Sequence, residues 1–538
     1  MDIDTARRHS GKGRAARVGG VALVAAAVWA MWPLLSSPRG AAAPRSARVG
    51  AAPAPRHGGT ITEAVVGIQW PTLDPLTNTQ DVSDGGFMDL IYGELFQAGA
   101  HGAIMPDIAT GYRLVDNGLQ LDIFIRPGVT FSDGTPYTAA AVASSINRSF
   151  SLPIAQSDFP AFASVKLPVT SSGNTVIVNL KSPNAAIVPA FISSAPTWTV
   201  DQVALTRMGE QAYGQHPIGA GPFEVAFDSA STKINLVRNP HYWQKGRPYL
   251  SGINVVDVGS DDSAYAALQS GQVQLTGVST ISLLRQAEKS KQFNVIAPPL
   301  ALYNLVSFNE TVPPFNNILA REAVIYATDT RVLVDKLYSP FYKVVQGPTY
   351  PGELFFQGRD IPGYETYNLA KAKALVKQLG GLSFTLATNA NTQYWLTEAE
   401  VLTTEWAAAG IHAKIVFNSL AETLEQLAGN KWQALDSNWG GRIDPALDVP
   451  SFFSSTGRQS GVRNPTLDAM LNQAESVSSP ASRARMYKQI YEFIDKNAMA
   501  DFLYDKPFYT LAAKDIGWLP QHGRTYDEVH WQDVYLTR

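Results

Sequence analysis

The sequence predicts an α/β protein of more than one domain, in which mixed, partly parallel sheets are covered by helices. A length of 538 residues exceeds what one hydrophobic core normally accommodates. Several segments, such as residues 119–125, alternate apolar and polar side chains with the period of a half-buried strand. A strand at 383–387, a helix at 396–409 and a strand at 411–417 follow one another, and this order is typical of parallel strands joined by a helix.

The composition is that of a soluble globular protein, with 45% hydrophobic and 17% charged residues. Cysteine is absent, which excludes disulfides, a thiolate nucleophile, Cys-ligated metals and a lipid anchor on cysteine. Residues 1–56 contain nine Lys or Arg and two Asp or Glu, so the rest of the chain carries 34 basic and 44 acidic residues. We therefore expect no nucleic-acid partner.

The N-terminus has the layout of a secretory signal peptide. Basic residues precede an apolar run at 21–35, and the small residues 40–43 follow it. The run is shorter than the roughly 20 residues that a membrane-spanning helix needs. We expect residues 1–43 to direct export to the periplasm and to be removed, with an uncleaved membrane anchor as the alternative. Residues 44–57, rich in Pro and Ala, are predicted to form a tether.

Residues 118–149 predict a strand, a turn and a helix in direct succession. Leu121, Ile123 and Ile125 share one face of the strand. The turn residues 132–136, Ser-Asp-Gly-Thr-Pro, reverse the chain. Thr138 is placed to cap the helix that follows.

This unit resembles the signature of the substrate-binding proteins of ABC importers of the peptide/nickel family (solute-binding family 5), which includes oligopeptide- and dipeptide-binding proteins. The matching residues are Arg126, Gly128, Val129, Phe131, Asp133, Gly134, Thr135, Pro136, Thr138 and Ala139. Residues 217–223 and 234–243 match the same family. One departure is Ala140-Ala141, where the family often has an acidic pair. In the second stretch, we expect Gly219 and Gly221 to supply backbone torsions that other residues avoid.

The resemblance implies a two-lobed periplasmic-binding-protein fold of the class II type, with an extra subdomain in the first lobe. The implied boundaries are lobe I at 58–272 with its subdomain at about 98–215, lobe II at 273–504, and a return to lobe I at 505–538. It also implies a monomer that closes around a peptide or related small solute by hinge motion and delivers it to an ABC permease in the inner membrane.

The candidate ligand contacts centre on residues 438–445, where relatives place a Trp-x-(Ala/Gly)-Asp segment in the cleft. The predicted ligand-binding residues are Val82, Asn309, Trp406, Trp439, Gly440, Gly441, Arg442 and Asp444. Arg442 stands where peptide binders have the Asp that pairs with the α-amine of the ligand, so that role does not carry over. A guanidinium there is suited to a carboxylate, phosphate or sulfonate, and the alternative is an internal salt bridge to Asp444 or Asp448.

No catalytic constellation, metal site or cofactor is predicted. The eight His residues show no metal-ligand spacing, and nucleophile elbows and phosphate-binding loops are missing apart from a chance glycine pattern at 11–16. The leading hypothesis is therefore a peptide-binding protein. The alternatives are the same scaffold with a non-peptide cargo, such as an oligosaccharide, an opine-like conjugate or a metal chelate, and an exported hydrolase.

Overall fold

A computed structural model describes residues 55–66, 70–77, 85–99, 102–152, 160–192, 194–226, 232–297, 301–358, 361, 364, 366–389, 393–440, 442–517 and 530–537. The predicted signal peptide and most of the predicted tether lie outside these residues. The described chain from 55 onward belongs to one compact unit built on two large mixed sheets, each with helices packed against it.

The first sheet forms the centre of lobe I. Its strands, in spatial order, are Phe293–Ile296, Tyr509–Ala513, Leu275–Val278, Thr60–Val65, Gly252–Asp257, Lys233–Arg238 and Phe223–Val225. The strand nearest the N-terminus is parallel to both of its neighbours, and the other pairs are antiparallel. The helices of this lobe are Gly85–Tyr92, Gln202–Met208, Glu210–Gln215, Asp261–Ser270 and Ile281–Ser290. A short pair, Ile516–Gly517 with Tyr535–Leu536, lies near the C-terminus.

The sequence predicts the boundary between lobe I and lobe II after residue 272, and the strand pairing in this sheet shows that this position is too early. Gly271 does end the helix Asp261–Ser270 in a left-handed conformation, as a glycine stop should. The next two strands, Leu275–Val278 and Phe293–Ile296, nevertheless pair within the first sheet. The chain therefore leaves lobe I only after residue 296.

A four-stranded antiparallel sheet forms a subdomain inserted in lobe I. Its strands, in spatial order, are Ala109–Val115, Gln120–Ile125, Thr175–Leu180 and Val165–Ser172. The hairpin Phe96–Ala98 and Ile104–Pro106 and the helices Ala139–Ser151 and Ile187–Ala190 accompany it. The predicted cap is confirmed, because the Thr138 side chain accepts a hydrogen bond from the Ala141 amide at 3.1 Å.

Two motif residues that are distant in sequence meet in this subdomain. The Arg126 guanidinium stacks over the Trp243 ring, 4.2 Å from its centroid, and donates to the Asp107 carbonyl. This contact joins the strand-turn-helix unit to the 234–243 stretch.

The second sheet forms the centre of lobe II. Its strands, in spatial order, are Lys343–Val344, Ala500–Pro507, Ala301–Phe308, Ala434–Gly440, Leu382–Asn389 and Ile411–Asn418. The predicted parallel pair is confirmed, since Leu382–Asn389 runs parallel to Ile411–Asn418. The helices are Ile318–Ala327, Thr330–Leu337, Leu369–Gln378, Gln393–Ala408, Leu420–Ala428, Val449–Phe453, Pro465–Ser476 and Pro480–Lys496.

Two neighbouring strand crossings connect the lobes. Phe293–Ile296 of the first sheet leads into Ala301–Phe308 of the second, and Ala500–Pro507 leads back to Tyr509–Ala513. Phe293–Ile296 pairs antiparallel with Tyr509–Ala513 in the first sheet, and Ala301–Phe308 pairs antiparallel with Ala500–Pro507 in the second. The two lobes are therefore joined by adjacent chain segments, which is the arrangement that hinge closure requires.

Candidate functional site

The candidate site is the segment that follows the strand Ala434–Gly440. We call residues 440–448 the cleft loop. In the sheet register, Trp439 is opposite Tyr303 and Gly440 is opposite Leu302. Gly440 has a φ of 115°, which only glycine adopts without strain, so the chain can turn sharply out of the sheet at this position.

Tyr350 fixes the beginning of the cleft loop. Its hydroxyl accepts a hydrogen bond from the Arg442 amide at 2.8 Å and donates to the Arg442 carbonyl at 2.5 Å. The same hydroxyl lies 3.1 Å from Oδ2 of Asp448, at the end of the loop. The neighbouring Leu354 amide donates to the Ile443 carbonyl at 2.8 Å. The backbone of the loop is thus held by the segment around Tyr350.

A buried ion pair fixes the centre of the loop. Asp444 is fully buried, and both of its carboxylate oxygens accept from the Arg483 guanidinium, at 2.6 and 2.7 Å. The guanidinium also lies over the rings of Phe355 and Tyr487. The Asp444 carboxylate is therefore paired with Arg483.

The side chain of Arg442 is half-buried and lies near the other candidate partner. Burial raises the pKa of Asp448 to about 7, and the attraction of Arg442 opposes this increase. Burial next to Asp448 also raises the pKa of Glu353 well above its usual range. Asp448 at the end of the cleft loop and the nearby Glu353 are therefore two carboxyls whose protonated form is favoured by burial.

A cavity of about 300 Å³ lies between the inserted subdomain of lobe I and lobe II. Its walls are mostly apolar, and the Asp444–Arg483 pair also lines it. The lining includes Gly102, Ile104 and Val188 from lobe I, and Leu354, Phe355 and Ile443 from lobe II. Its volume lies at the lower end of the roughly 300–1,000 Å³ that small-molecule sites occupy.

The lobes are in close contact beside this cavity. The Ala185 amide of the subdomain donates to the Glu475 carbonyl of lobe II at 2.7 Å. A Cβ atom on Gly102 would lie 3.1 Å from the Cβ of Leu354. A cavity with walls from both lobes would change in size if the lobes moved relative to each other.

The structure brings together only some of the predicted ligand contacts. Gly440, Arg442 and Asp444 lie on the cleft loop, whereas Val82, Gly441 and the side chain of Trp439 are outside the described parts of the chain. Asn309 is fully buried, and its amide donates to the Trp432 carbonyl and to Asn430. This Asn ties two loops of lobe II together, so we do not propose it as a ligand contact.

Trp406 is likewise placed in the interior of lobe II. It is fully buried, its ring packs against Phe384, and its indole N–H donates to Oγ1 of Thr328 at 2.9 Å. The side chain has no open face toward the cleft, because the helix Gln393–Ala408 turns this position toward the second sheet. We therefore do not propose a ligand role for Trp406.

Sequence reasoning missed Tyr350 and Arg483, which hold the cleft loop. They lie 92 and 39 residues from their partners, Arg442 and Asp444. No local pattern links positions so far apart. Within the described ranges, no group of three or more His, Asp or Glu side chains has the geometry to hold a metal ion. Among the same residues, no helix is both long and apolar enough to cross a membrane.

Two α/β lobes that are joined by paired crossings and enclose a cavity define the class of periplasmic binding proteins. Within this class, a model of the bacterial extracellular solute-binding proteins, family 5 (middle region), matches residues 103–461, and the chain belongs to this family. It is a solute-binding component of the kind that ABC importers use.

Known relatives support the same assignment. The chain is 24% identical over 445 residues to the glutathione-binding protein GsiB of Shigella boydii, covering 80% of this chain and 86% of that protein. Its fold is similar to that of DppA from Helicobacter pylori in complex with the peptide STSA, with a TM-score of 0.74, 22% identity, and coverage of 90% and 99% of the two chains. AppA from Bacillus subtilis in complex with a nonapeptide gives a TM-score of 0.73 at 21% identity, with coverage of 90% and 100%.

Proposed function

We propose that this protein binds small peptides between its lobes, one per molecule, and passes them chemically unchanged to an ABC permease. The observation that carries the proposal is the cleft loop, which faces the subdomain of lobe I across a cavity with walls from both lobes. The peptide and glutathione ligands named for the relatives support this class of cargo.

The geometry suits a binding function because the loop is pre-organised while the walls can separate. Tyr350 and Arg483 hold the loop through contacts within lobe II. Hinge opening would expose the cavity without disturbing these contacts. A ligand that touches both lobes would then favour the closed state by its differential affinity.

Mass spectrometry of ligand retained through native purification tests the class of cargo. We expect peptides in the retained material. An oligosaccharide, an opine-like conjugate or a metal chelate would instead overturn the peptide assignment while leaving the binding function intact.

Small-angle scattering and calorimetry test the mechanism. We expect a stoichiometry of one, a smaller radius of gyration on binding, and recovery of the ligand unchanged, all from a monomer. If the purified protein hydrolysed its bound peptide, the binding function would be wrong and an exported hydrolase would replace it.

A further inference from the structure

We propose that Asp448 is a positioning residue that holds the cleft loop as a protonated carboxylic acid, so that cargo binding weakens when this proton is lost. The effect on cargo rests on the proposed binding function. Asp448 ends the cleft loop and Arg442 stands near its beginning, so a contact shared by these two positions sets the shape of the segment between them.

The Tyr350 hydroxyl joins the two ends of the cleft loop. Its oxygen lies 2.8 Å from the Arg442 amide nitrogen, 2.5 Å from the Arg442 carbonyl oxygen and 3.1 Å from Oδ2 of Asp448. A tyrosine hydroxyl has one proton to donate, whereas its oxygen can also accept. The Arg442 carbonyl and Oδ2 are both oxygens, so the one proton of Tyr350 cannot serve the two of them at once.

The shorter of these two contacts takes the hydroxyl proton. Two oxygen atoms approach to 2.5 Å only with a proton between them, and a backbone carbonyl has none to offer. The Tyr350 hydroxyl therefore donates to the Arg442 carbonyl. The contact at 3.1 Å is a hydrogen bond at the same time only if Asp448 supplies the proton, which makes its side chain a neutral acid.

Asp448 does not serve the following helix as a charged cap. It directly precedes the helix Val449–Phe453, where an Asp side chain normally accepts from the first free amides of the helix. Over this described stretch the Asp448 side chain accepts no such hydrogen bond, and it lies against Tyr350 instead. The usual reason for a carboxylate at this position is therefore missing.

The surroundings of Asp448 favour its proton up to neutral pH. The charged and titratable groups around it are Arg442 and Asp444 on the cleft loop, Tyr350 and Glu353 on the segment beside it, Tyr303 on the strand Ala301–Phe308, and Arg483, Tyr491 and Asp495 on the helix Pro480–Lys496. Burial and the charge of Asp444 favour the neutral acid, whereas Arg442 and the Tyr350 hydroxyl favour the carboxylate. Burial prevails, and the pKa of Asp448 is raised to about 7.

Loss of this proton would loosen the beginning of the cleft loop. A carboxylate at Asp448 can only accept, and the Tyr350 hydroxyl is a donor 3.1 Å away. Once the hydroxyl turns to Asp448, the Arg442 carbonyl loses its donor. Because the held loop keeps the proton and the loosened loop releases it, binding is strongest below a pH of about 7 and falls as pH rises above it. Asp448 is half-buried, so solvent can take the proton.

Hydrogen exchange of the full chain without cargo tests the contact itself. Mass spectrometry follows residues 440–448 from about pH 5.5 to about pH 8.5, with the intrinsic exchange rate corrected at each pH. We expect protection to fall by up to about tenfold per pH unit above the pKa of Asp448. Asp448→Asn should keep the protection at every pH, because its amide can donate to Tyr350 as the acid does.

The matched control is Asp335→Asn, which makes the same change of charge at an exposed position of lobe II. This variant should keep the wild-type dependence on pH. Melting temperatures establish that the variants fold. If Asp448→Asn does not fold, Tyr350→Phe takes its place, because removal of the shared oxygen should abolish the pH dependence and leave protection low throughout.

Calorimetry with tripeptides of uncharged residues tests the effect on cargo. We expect the affinity of the wild type, relative to that of Asp448→Asn, to fall by about tenfold or more between about pH 6 and about pH 8.5. The α-amine of a peptide titrates in part of this range. It does so with both proteins, so the ratio of their affinities isolates Asp448.

Wild-type protection and relative affinity that do not change with pH would overturn the inference and leave peptide binding intact. The same conclusion would follow if Asp448→Asn behaved at every pH as the wild type does at high pH. If the wild type bound no tripeptide at any pH, the peptide proposal would be refuted, and the exchange experiment would still decide whether the proton of Asp448 holds the cleft loop.

Discussion

At the scale of single residues, the buried Arg483–Asp444 pair decides whether the cleft loop keeps its shape. We expect Arg483→Met to lower the free energy of unfolding by about 3–5 kcal/mol, because it leaves a fully buried carboxylate without its cation. Urea denaturation measures the change. The matched control is Arg207→Met, whose guanidinium is 60% exposed and pairs with Asp133. That substitution should change stability by about 1 kcal/mol or less, and equal effects of the two would show that the buried pair is unimportant.

Arg442 remains a proposed ligand contact. Its substitution separates a role in binding from a role in stability. Because Tyr350 holds the loop through the backbone of residue 442, Arg442→Ala should leave the loop in place. We expect it to weaken cargo binding by about tenfold or more, as loss of a charge-assisted contact does. Calorimetry and melting temperature are measured together. A lower melting temperature with unchanged affinity would assign Arg442 to a structural interaction with Asp448.

Asp501 predicts a pH dependence of stability. It is buried, accepts hydrogen bonds from Thr328 and Tyr364, and desolvation raises its pKa from 3.8 to about 7. Between these values the folded protein keeps the proton while the unfolded chain releases it, so stability falls as pH rises from about 4 to about 7.

Asp501→Asn should reduce this slope by up to about 1.4 kcal/mol per pH unit, the contribution of one proton. Urea denaturation across this pH window gives the slope for both proteins. Other buried carboxyls with pKa values raised to about 7, such as Glu310, remain in the variant. Some dependence should therefore persist, whereas an unchanged slope would show that Asp501 does not hold its proton in the folded state.

At the scale of elements, Gly219 and Gly221 do not supply the unusual backbone torsions that the sequence predicts for them. Neither is among the glycines with positive φ. Their α-carbons instead pack directly on the backbone of Leu90 and Ile91, where a Cβ atom would overlap a carbonyl oxygen. The two glycines therefore allow the end of the helix Gly85–Tyr92 to approach closely.

Gly221→Ala should accordingly destabilise lobe I by about 1–3 kcal/mol or more through overpacking. Chemical denaturation gives the value. Gly277→Ala is the control, because a methyl group on this strand glycine would meet no other atom within 4 Å and its torsions are ordinary. It should be nearly neutral. A loss in Gly277→Ala as large as that in Gly221→Ala would show that the close approach to the helix end is not the cause.

Local patterns predicted most of the elements but few of the contacts in the site. The unit from strand Gln120–Ile125 to helix Ala139–Ser151 was predictable because its signals are contiguous: alternation, a turn sequence and a cap. The lobe boundary was misplaced because pairing of Leu275–Val278 with Tyr509–Ala513 joins segments more than 200 residues apart. The roles of Tyr350 and Arg483 depend on the same kind of long-range proximity, which leaves no periodic pattern in the sequence.

At the scale of the whole molecule, the N-terminal segment predicts where the protein acts. We expect export to the periplasm with removal of residues 1 to about 43, since a basic stretch, an apolar run and small residues follow in the order of a signal peptide. The intact mass of the exported protein gives the cleavage site. Recovery of the full-length chain in the membrane fraction would establish the anchored alternative.

The position of strand Tyr509–Ala513 has a consequence for the order in which the molecule is completed. This strand lies between Phe293–Ile296 and Leu275–Val278, so the first sheet keeps a gap until the C-terminal end of the chain arrives. The second sheet likewise waits for Ala500–Pro507, so neighbouring segments near the C-terminal end of the chain complete both lobes. If the chain is exported unfolded, as its N-terminal segment predicts, this late completion keeps lobe I open to the export machinery until strand Tyr509–Ala513 has been made.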